Sequence, residues 1–457
     1  MSDKEVNEEE ILKSAERITE LLKALTHPNR LKILALLSEE SKDFSTLLTK
    51  TGLRKTALSN HLTQLLSVKI IIRVERGKYE ITKDGQNLLL AAMNVYKESE
   101  LRRDVERKLL KKRYSKGFGM KKMDKKIISE DEKVSYQPCW ISYLGAVSGV
   151  LKYLGKDHDI CNVGGYSGYV FALPNVSKGT TCPSGPTALA VWEEIIKATD
   201  TLGFKVQSYD ENQSFPSQNG DLTPEDLERA QNLFKQVKNV IDNEDRPVVL
   251  WGLQIPEYGI VKGYTDDSYI VSTYRSLMDQ PDTPLRFDSL QAPGCLHAIY
   301  FKENSPPISE EEDRKAIQRA IAFTQGTKVQ DGYVAGSAAY EEWANVLDKG
   351  RSQDLLYHGN AYVAACTLEA KELSLAFLRR LADKYKGKKQ AEILLQVSQE
   401  YEKVVTVLKE LQQLFPFAME GEMPEEKRMK GTQLLRSVIP YESHILSLLQ
   451  QCYEVWE

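Results

Sequence analysis

The sequence has no apolar run approaching the roughly 18 residues that a membrane-spanning helix needs, and its mean hydropathy is -0.42. A membrane-spanning protein is therefore not expected. Cysteine is scarce, with six residues in 457, so a scaffold built on disulfides is excluded. No Cys-x-x-Cys pair occurs; a structural zinc site of the common spacing is not expected, and neither a metal nor a cofactor is called for. The opening stretch MSDKEVNEEE is acidic and polar and lacks the features of a secretion signal. The thiols are accordingly expected to be reduced, in a cytoplasm. Internal repeats and low-complexity tracts are missing as well.

What is present suits a soluble globular chain of two or three domains, with 41% hydrophobic and 28% charged residues. The formal net charge of -4 is unevenly shared: residues 1–100 carry +1, residues 101–126 carry +9 and residues 127–457 carry -14. A basic amino-terminal part on an acidic body points to a polyanion partner for one region only; a lysine-rich solvated linker explains the same numbers equally well. Four segments follow: 10–97, compact and mostly helical; 98–133, a basic helical connector and dimer-helix candidate; 134–304, mixed strands and helices; and 309–457, nearly all helical.

In the first segment, Ile11, Ala15, Ile18, Leu21, Leu22 and Leu25 mark a helix with one buried face. Thr26-His27-Pro28 breaks it, and Asn29–Leu37 and Phe44–Lys50 read as further helices. A fourth, from about Lys55 to Ser67, sets Leu58, Leu62, Leu65 and Leu66 on a core face. Its other face carries Lys55, Ser59, Asn60, Thr63 and Gln64, mostly uncharged donors and acceptors suited to base edges in a major groove. Ile70–Ile81 then reads as a hairpin with a Gly77 turn, carrying Arg73, Arg76 and Lys78 at or near its tip within reach of phosphate.

Lys23-Ala24-Leu25-Thr26-His27-Pro28-Asn29-Arg30-Leu31-Lys32-Ile33-Leu34 and Thr56-Ala57-Leu58-Ser59-Asn60-His61-Leu62-Thr63-Gln64-Leu65 carry a resemblance, over residues 20–90, to the ArsR family of winged-helix transcription regulators. The resemblance implies a homodimer on double-stranded operator DNA, with the fourth helix in the major groove and the hairpin on the backbone. The implied contacts are Arg54, Lys55, Thr56, Ser59, Asn60, His61, Gln64, Arg73, Arg76 and Lys78. The third helix lacks the Cys pair of metal-sensing members, so thiolate metal sensing is not expected, and His27 and His61 read as structural or DNA-proximal. The helical pattern of residues 87–113 is where the family builds its dimer interface.

Farther on, Gln137-Pro138-Cys139-Trp140 leads a helix, Ile141–Leu154, whose dipole would favour a thiolate at Cys139. Strands are expected over Arg246–Trp251, Tyr258–Tyr264 and Tyr269–Thr273. The Cys-led helix, then Pro247-Val248-Val249-Leu250-Trp251-Gly252, then Gly259–Val271 resemble the α+β papain-like fold of the bacteriocin-processing peptidases and of the acyltransferase BtrH of butirosin synthesis, over roughly residues 134–300. That family needs a Cys, a His base and an orienting Asp or Asn. Cys139 fills the first place, but Tyr258 or Gly259 stands at the His position and Ser272 or Thr273 at the last. His297 is a candidate base from another strand, and a pocket without catalysis is the reading preferred. Cys139, Trp140, Tyr166, Tyr169, Trp251 and Tyr258 are its expected lining. The fold expected is thus multidomain: a mainly α winged helix-turn-helix, an α+β papain-like domain and a helical carboxy-terminal extension. The function expected is transcription regulation responding to an unknown small-molecule or peptide effector. The rival is a cysteine-dependent acyltransferase or peptidase using Cys139, with the winged helix as an accessory module.

Overall fold

The computed structural model describes residues 8–23, 25–74, 77–98, 125–128, 133–211, 213, 215, 222–278, 280–304, 306–349, 354–417 and 423–456. Arg76 and almost all of the basic connector lie outside these residues. The chain divides into two compact units, Met1–Lys121 and Lys122–Glu457.

The first unit runs α1 (Glu8–Lys23), α2 (Pro28–Glu39), β1 (Lys42–Asp43), α3 (Phe44–Thr51), α4 (Lys55–Ser67), β2 (Ile71–Val74), β3 (Lys78–Ile81) and α5 (Lys83–Glu98). Local chemistry sets the boundaries. His27 Nδ1 accepts the Asn29 N–H at 3.1 Å, and Pro28 occupies the first helical turn, where no donor is needed. Asp43 caps α3 by accepting the Thr46 N–H at 2.7 Å. Gly52, at φ 67°, ends α3 in the left-handed conformation that glycine adopts without strain. Ile33, Leu34 and Leu37 of α2, Leu47 of α3, Leu58, Leu62 and Leu65 of α4, and Ile71, Tyr79 and Ile81 of the hairpin close one core. Burial of each large side chain contributes about 1.5–3 kcal/mol. β3 is central in an antiparallel sheet of order β1-β3-β2.

One expectation is corrected here. The apolar face of α1 is not buried within the chain: Leu12 is 71% exposed, and Ile18, Leu21 and Leu22 are exposed too. Periodicity reports that a face is apolar, not what covers it. On α5, Leu90, Met93 and Val95 are likewise exposed.

The second unit contains β4 (Lys126–Ile127), α6 (Ser142–Tyr153), α7 (Ile160–Ser167), β5 (Asn175–Ser177), α8 (Trp192–Thr199), β6 (Phe204–Glu211), α9 (Pro224–Glu244), β7 (Val248–Trp251), β8 (Tyr258–Tyr264), β9 (Ser268–Ser272), β10 (Leu285–Arg286), β11 (Leu296–Asn304), α10 (Glu310–Gln325), β12 (Tyr333–Ala335), α11 (Ser337–Lys349), α12 (Asp354–Lys384), α13 (Lys389–Leu414) and α14 (Glu425–Glu454). The main sheet has the order β10-β9-β8-β7-β11-β6, with β4 also on β8, and its pairings are antiparallel. All four residues of β7 are buried, as expected of a strand covered on both faces; α6 and α9 both pack on it.

Two glycines seat α6. A Cβ on Gly149 would lie 2.2 Å from the Ser135 carbonyl oxygen and 2.8 Å from Ile260 Cδ1, and one on Gly145 would lie 2.5 Å from the Gln137 oxygen. Without side chains at these points, the segment leading to Cys139 crosses the helix at backbone distance. The expected division between 134–304 and 309–457 is absent. One hydrophobic cluster runs from Val134 to Trp456, because α10 and α12 cover α7, which in turn packs on α6.

Candidate functional site

In the first unit, Arg54, Lys55, Thr56, Ser59, Asn60, Thr63 and Gln64 are exposed on one helix, α4, whose opposite residues Leu58, Leu62 and Leu65 are buried. Arg73 and Lys78 are exposed on the hairpin, and the Arg73 guanidinium lies 6.0 Å from the centre of the Tyr79 ring. His61 is half-buried, its ring 4.4 Å from that of His27. Its imidazole is held below the usual range, first by burial and then by the charges of His27 and Arg30. The α4 face is therefore polar and uncrowded, a neutral strip flanked by cations.

In the second unit, Cys139 lies just ahead of α6 and is 7% exposed. Its Sγ donates to Glu369 Oε2 at 3.1 Å. The same carboxylate accepts the Trp140 N–H at 3.0 Å and the Ile141 N–H at 2.8 Å. Glu369 comes from α12, so a remote carboxylate caps the segment entering α6. This overturns the expectation of an activated thiolate. Burial, then the charge and hydrogen bond of Glu369, push the thiol well above its usual range. Burial also raises Glu369 itself. The helix N-terminus does bind negative charge, but the charge is Glu369's.

His297 sits on β11, 3% exposed, with Nδ1 bonded to the Tyr258 hydroxyl at 2.8 Å. Burial pulls its pKa down to about 4, so the imidazole is neutral near pH 7. Nε2 has no hydrogen-bond partner among the described residues. The thiol and the imidazole are not bonded to each other: one is held by Glu369, the other by Tyr258. Ser272 Oγ accepts the Tyr136 N–H at 3.0 Å, and Thr273 Oγ1 donates to Asp282 at 2.6 Å.

A cavity of about 1190 Å³ opens beside β11 and α8. Trp251 and Tyr258, both expected there, line it, together with His297, Trp192, Tyr333, Tyr362, Phe417, Cys182, Cys295, Asp210 and Glu257. The other expected lining residues do not. Cys139 and Trp140 are held at Glu369. The Tyr166 hydroxyl donates to buried Asp313 at 2.7 Å, and that of Tyr169 to the Pro186 carbonyl at 2.8 Å; both rings are core.

Sequence reasoning missed Glu257 and Glu369. Glu257 accepts from the Ser142 and Tyr362 hydroxyls. Burial lifts its pKa to about 7, against the lowering effect of those two donors. A carboxyl that titrates near neutrality on a cavity wall can exchange a proton there. Its position just before β8 was the available signal, since an acid beside an apolar strand is unusual; Glu369 offered none, being 230 residues from its thiol. Among the described residues no group of three or more His, Cys, Asp or Glu could hold a metal, and no helix is long and apolar enough to cross a membrane.

Residues 27–72 match the model described as bacterial regulatory protein, arsR family. Over 88 residues, 18% of this chain and 89% of the relative, the sequence is 38% identical to the HTH-type transcriptional regulator YgaV of Escherichia coli (strain K12). The family match spans α2 to α4, the helices that carry the exposed polar strip described above, and through its amino-terminal unit the chain belongs to the arsR family of bacterial regulatory proteins and is a DNA-binding transcription regulator.

Proposed function

We propose that this regulator acts in the cytoplasm as a homodimer whose carboxy-terminal unit senses a small ligand or peptide in the cavity beside β11. The observation that carries the reading is the cavity itself. It is large enough for a small-molecule ligand, walled by Trp192, Trp251, Tyr258 and Tyr362, and bordered by a buried imidazole with an unused nitrogen. Arg54, Lys55, Thr56, Ser59, Asn60, His61 and Gln64 would face the major groove, and Arg73, Arg76 and Lys78 the phosphates. The exposed apolar residues of α1 and α5 favour a second copy as their cover. Ligand would change operator affinity only through a difference in its affinity for the two states of the dimer.

The Cys-led buried helix on an antiparallel sheet favours a papain-like scaffold for this unit. The alternative activity, acyl transfer or peptide cleavage by Cys139, has the thiol present but is opposed by the Glu369 contact and by the separate bonding of His297. The test is binding of the full chain to DNA from its own upstream region and to a scrambled duplex across a salt series, followed by a ligand screen for release. A preference for the native sequence and a compound that alters it are expected. Equal weak binding to both duplexes, or a preference that no cavity-binding compound changes, would overturn the reading.

A further inference from the structure

We infer that the cavity beside β11 selects an organic cation, a protonated amine or quaternary onium group on a multi-ring or long hydrocarbon body, with Asp210 as its counter-charge. This deepens the sensing proposal and rests on that cavity being a ligand site. Its volume, about 1190 Å³, exceeds the usual range for small-ligand sites, so a single small ring would leave most of it unfilled.

The polar handles of the aromatic wall are already engaged. The Trp192 and Trp251 indoles donate to the Thr187 and Pro293 carbonyls at 2.8 and 3.2 Å. The Tyr258 hydroxyl is bonded to His297 at 2.8 Å, that of Tyr333 to Ser184 at 2.8 Å, and that of Tyr362 donates to Glu257. What these side chains offer a ligand is therefore ring surface. The Trp192 and Trp251 rings stand 5.5 and 4.9 Å from that of Tyr258, so three π-systems share one wall. The faces of such rings carry negative potential, which attracts a cation and repels an anion.

The formal charge of the lining has the same sign. Glu193, Asp200, Asp210 and Glu257 line the cavity against one ammonium, Lys197. Asp210 is the acid placed to meet a ligand. Alternate residues of β6, Val206, Ser208 and Asp210, border the cavity, as the period of a strand requires. The side chain of Asp210 is exposed rather than sealed in the core. Partial burial, acting alone, raises its carboxyl above the usual range, with no donor or cation to lower it. The sheet register sets it opposite His297, whose Nδ1 bonds Tyr258, so the carboxylate stands one side chain away from the aromatic wall. An ionised carboxylate only accepts hydrogen bonds. The group that completes it must donate or carry positive charge, and the rings beside it favour the same sign.

The test is isothermal titration of the full chain, without DNA, with two sets of compounds matched in shape. One is 3,3-diphenylpropylamine with its alcohol and its carboxylate counterparts, 3,3-diphenylpropan-1-ol and 3,3-diphenylpropionate. The other is tetraphenylphosphonium with tetraphenylborate. At least one cation is expected to bind at one equivalent, at least tenfold tighter than its neutral or anionic counterparts. Asp210→Asn should weaken that cation at least fivefold, and Asp210→Glu, which keeps the charge, should retain most of the affinity. Binding of neither cation, equal or tighter binding of a counterpart, or a cation held equally by Asp210→Asn would overturn the inference. The sensing reading is judged apart from it. A bound cation that leaves operator affinity unchanged would sink that reading alone, whereas an anionic counterpart that binds the cavity tighter than its cation and releases the operator would sink this inference alone.

Discussion

The carboxylate of Glu369 accepts hydrogen bonds from the Cys139 thiol and from the two backbone N–H groups that follow it, at 2.8–3.1 Å, and so keeps the thiol protonated. Site-resolved iodoacetamide labelling at pH 8 should therefore modify Cys139 after half-buried Cys182 and Cys295. Glu369→Gln removes the negative field and should speed labelling of Cys139 on the order of tenfold, the effect of about one pKa unit. A Cys139 that labels first in the parent protein would sink this account.

The proposed recognition face implies two kinds of contact. Asn60→Ala should lower discrimination between native and altered operator by about 1–3 kcal/mol, while affinity for unrelated DNA stays within twofold. Lys78→Ala should weaken binding to every duplex and reduce the salt slope by about one. Quantitative fluorescence anisotropy at several salt concentrations checks both, and identical behaviour of the two variants would refute the assignment.

Lys371 and Glu442 form an ion pair at 2.8 Å, with their side chains 1% and 2% exposed, and Glu442 also accepts the Tyr340 hydroxyl at 3.0 Å. Lys371→Met leaves an uncompensated buried carboxylate and should destabilise the second unit by about 3–5 kcal/mol. Adding Glu442→Gln keeps an acceptor for Tyr340 and should restore most of that loss. Urea unfolding of both variants decides the matter.

Glu257 makes stability depend on pH. Its folded pKa, about 7, lies above the ordinary glutamate value of 4.5, so the folded state binds the proton more tightly. The stabilisation is complete below the unfolded value, falls as pH rises from there, and is lost once pH passes about 7. Glu257→Gln should flatten the thermal stability of the second unit between pH 4.5 and 8 and raise it relative to the parent at pH 8. A variant that parallels the parent at every pH would show that Glu257 does not titrate in this window.

Much of the local structure was legible because it is written in short-range pattern. The bounds of α4, Lys55–Ser67, and of β8, Tyr258–Tyr264, are those the apolar spacing and turn residues imply. The carboxy-terminal part is also nearly all helical, as its pattern implies. What escaped depends on contacts across the chain. Glu257 meets Ser142 and Tyr362, each more than 100 residues away, and no spacing announces such a meeting. Gly359 is another case: a Cβ there would meet the Thr181 carbonyl oxygen at 1.7 Å, a crossing that ties the supposed tail to the core. The apolar face of α1 was legible as a face, yet among the described residues Leu12, Ile18, Leu21 and Leu22 stay exposed.

α12 is a single rod of 31 residues, about 46 Å long at 1.5 Å per residue. Tyr362, on the cavity wall, and Glu369, on the thiol, are seven residues apart on it, about 10 Å. Lys371, in the buried ion pair, follows within the next turn. A helix transmits axial displacement with little slack. A ligand that pushes Tyr362 along the rod therefore loads the Glu369 cap and the Lys371 anchor together, as one lever acts on two latches.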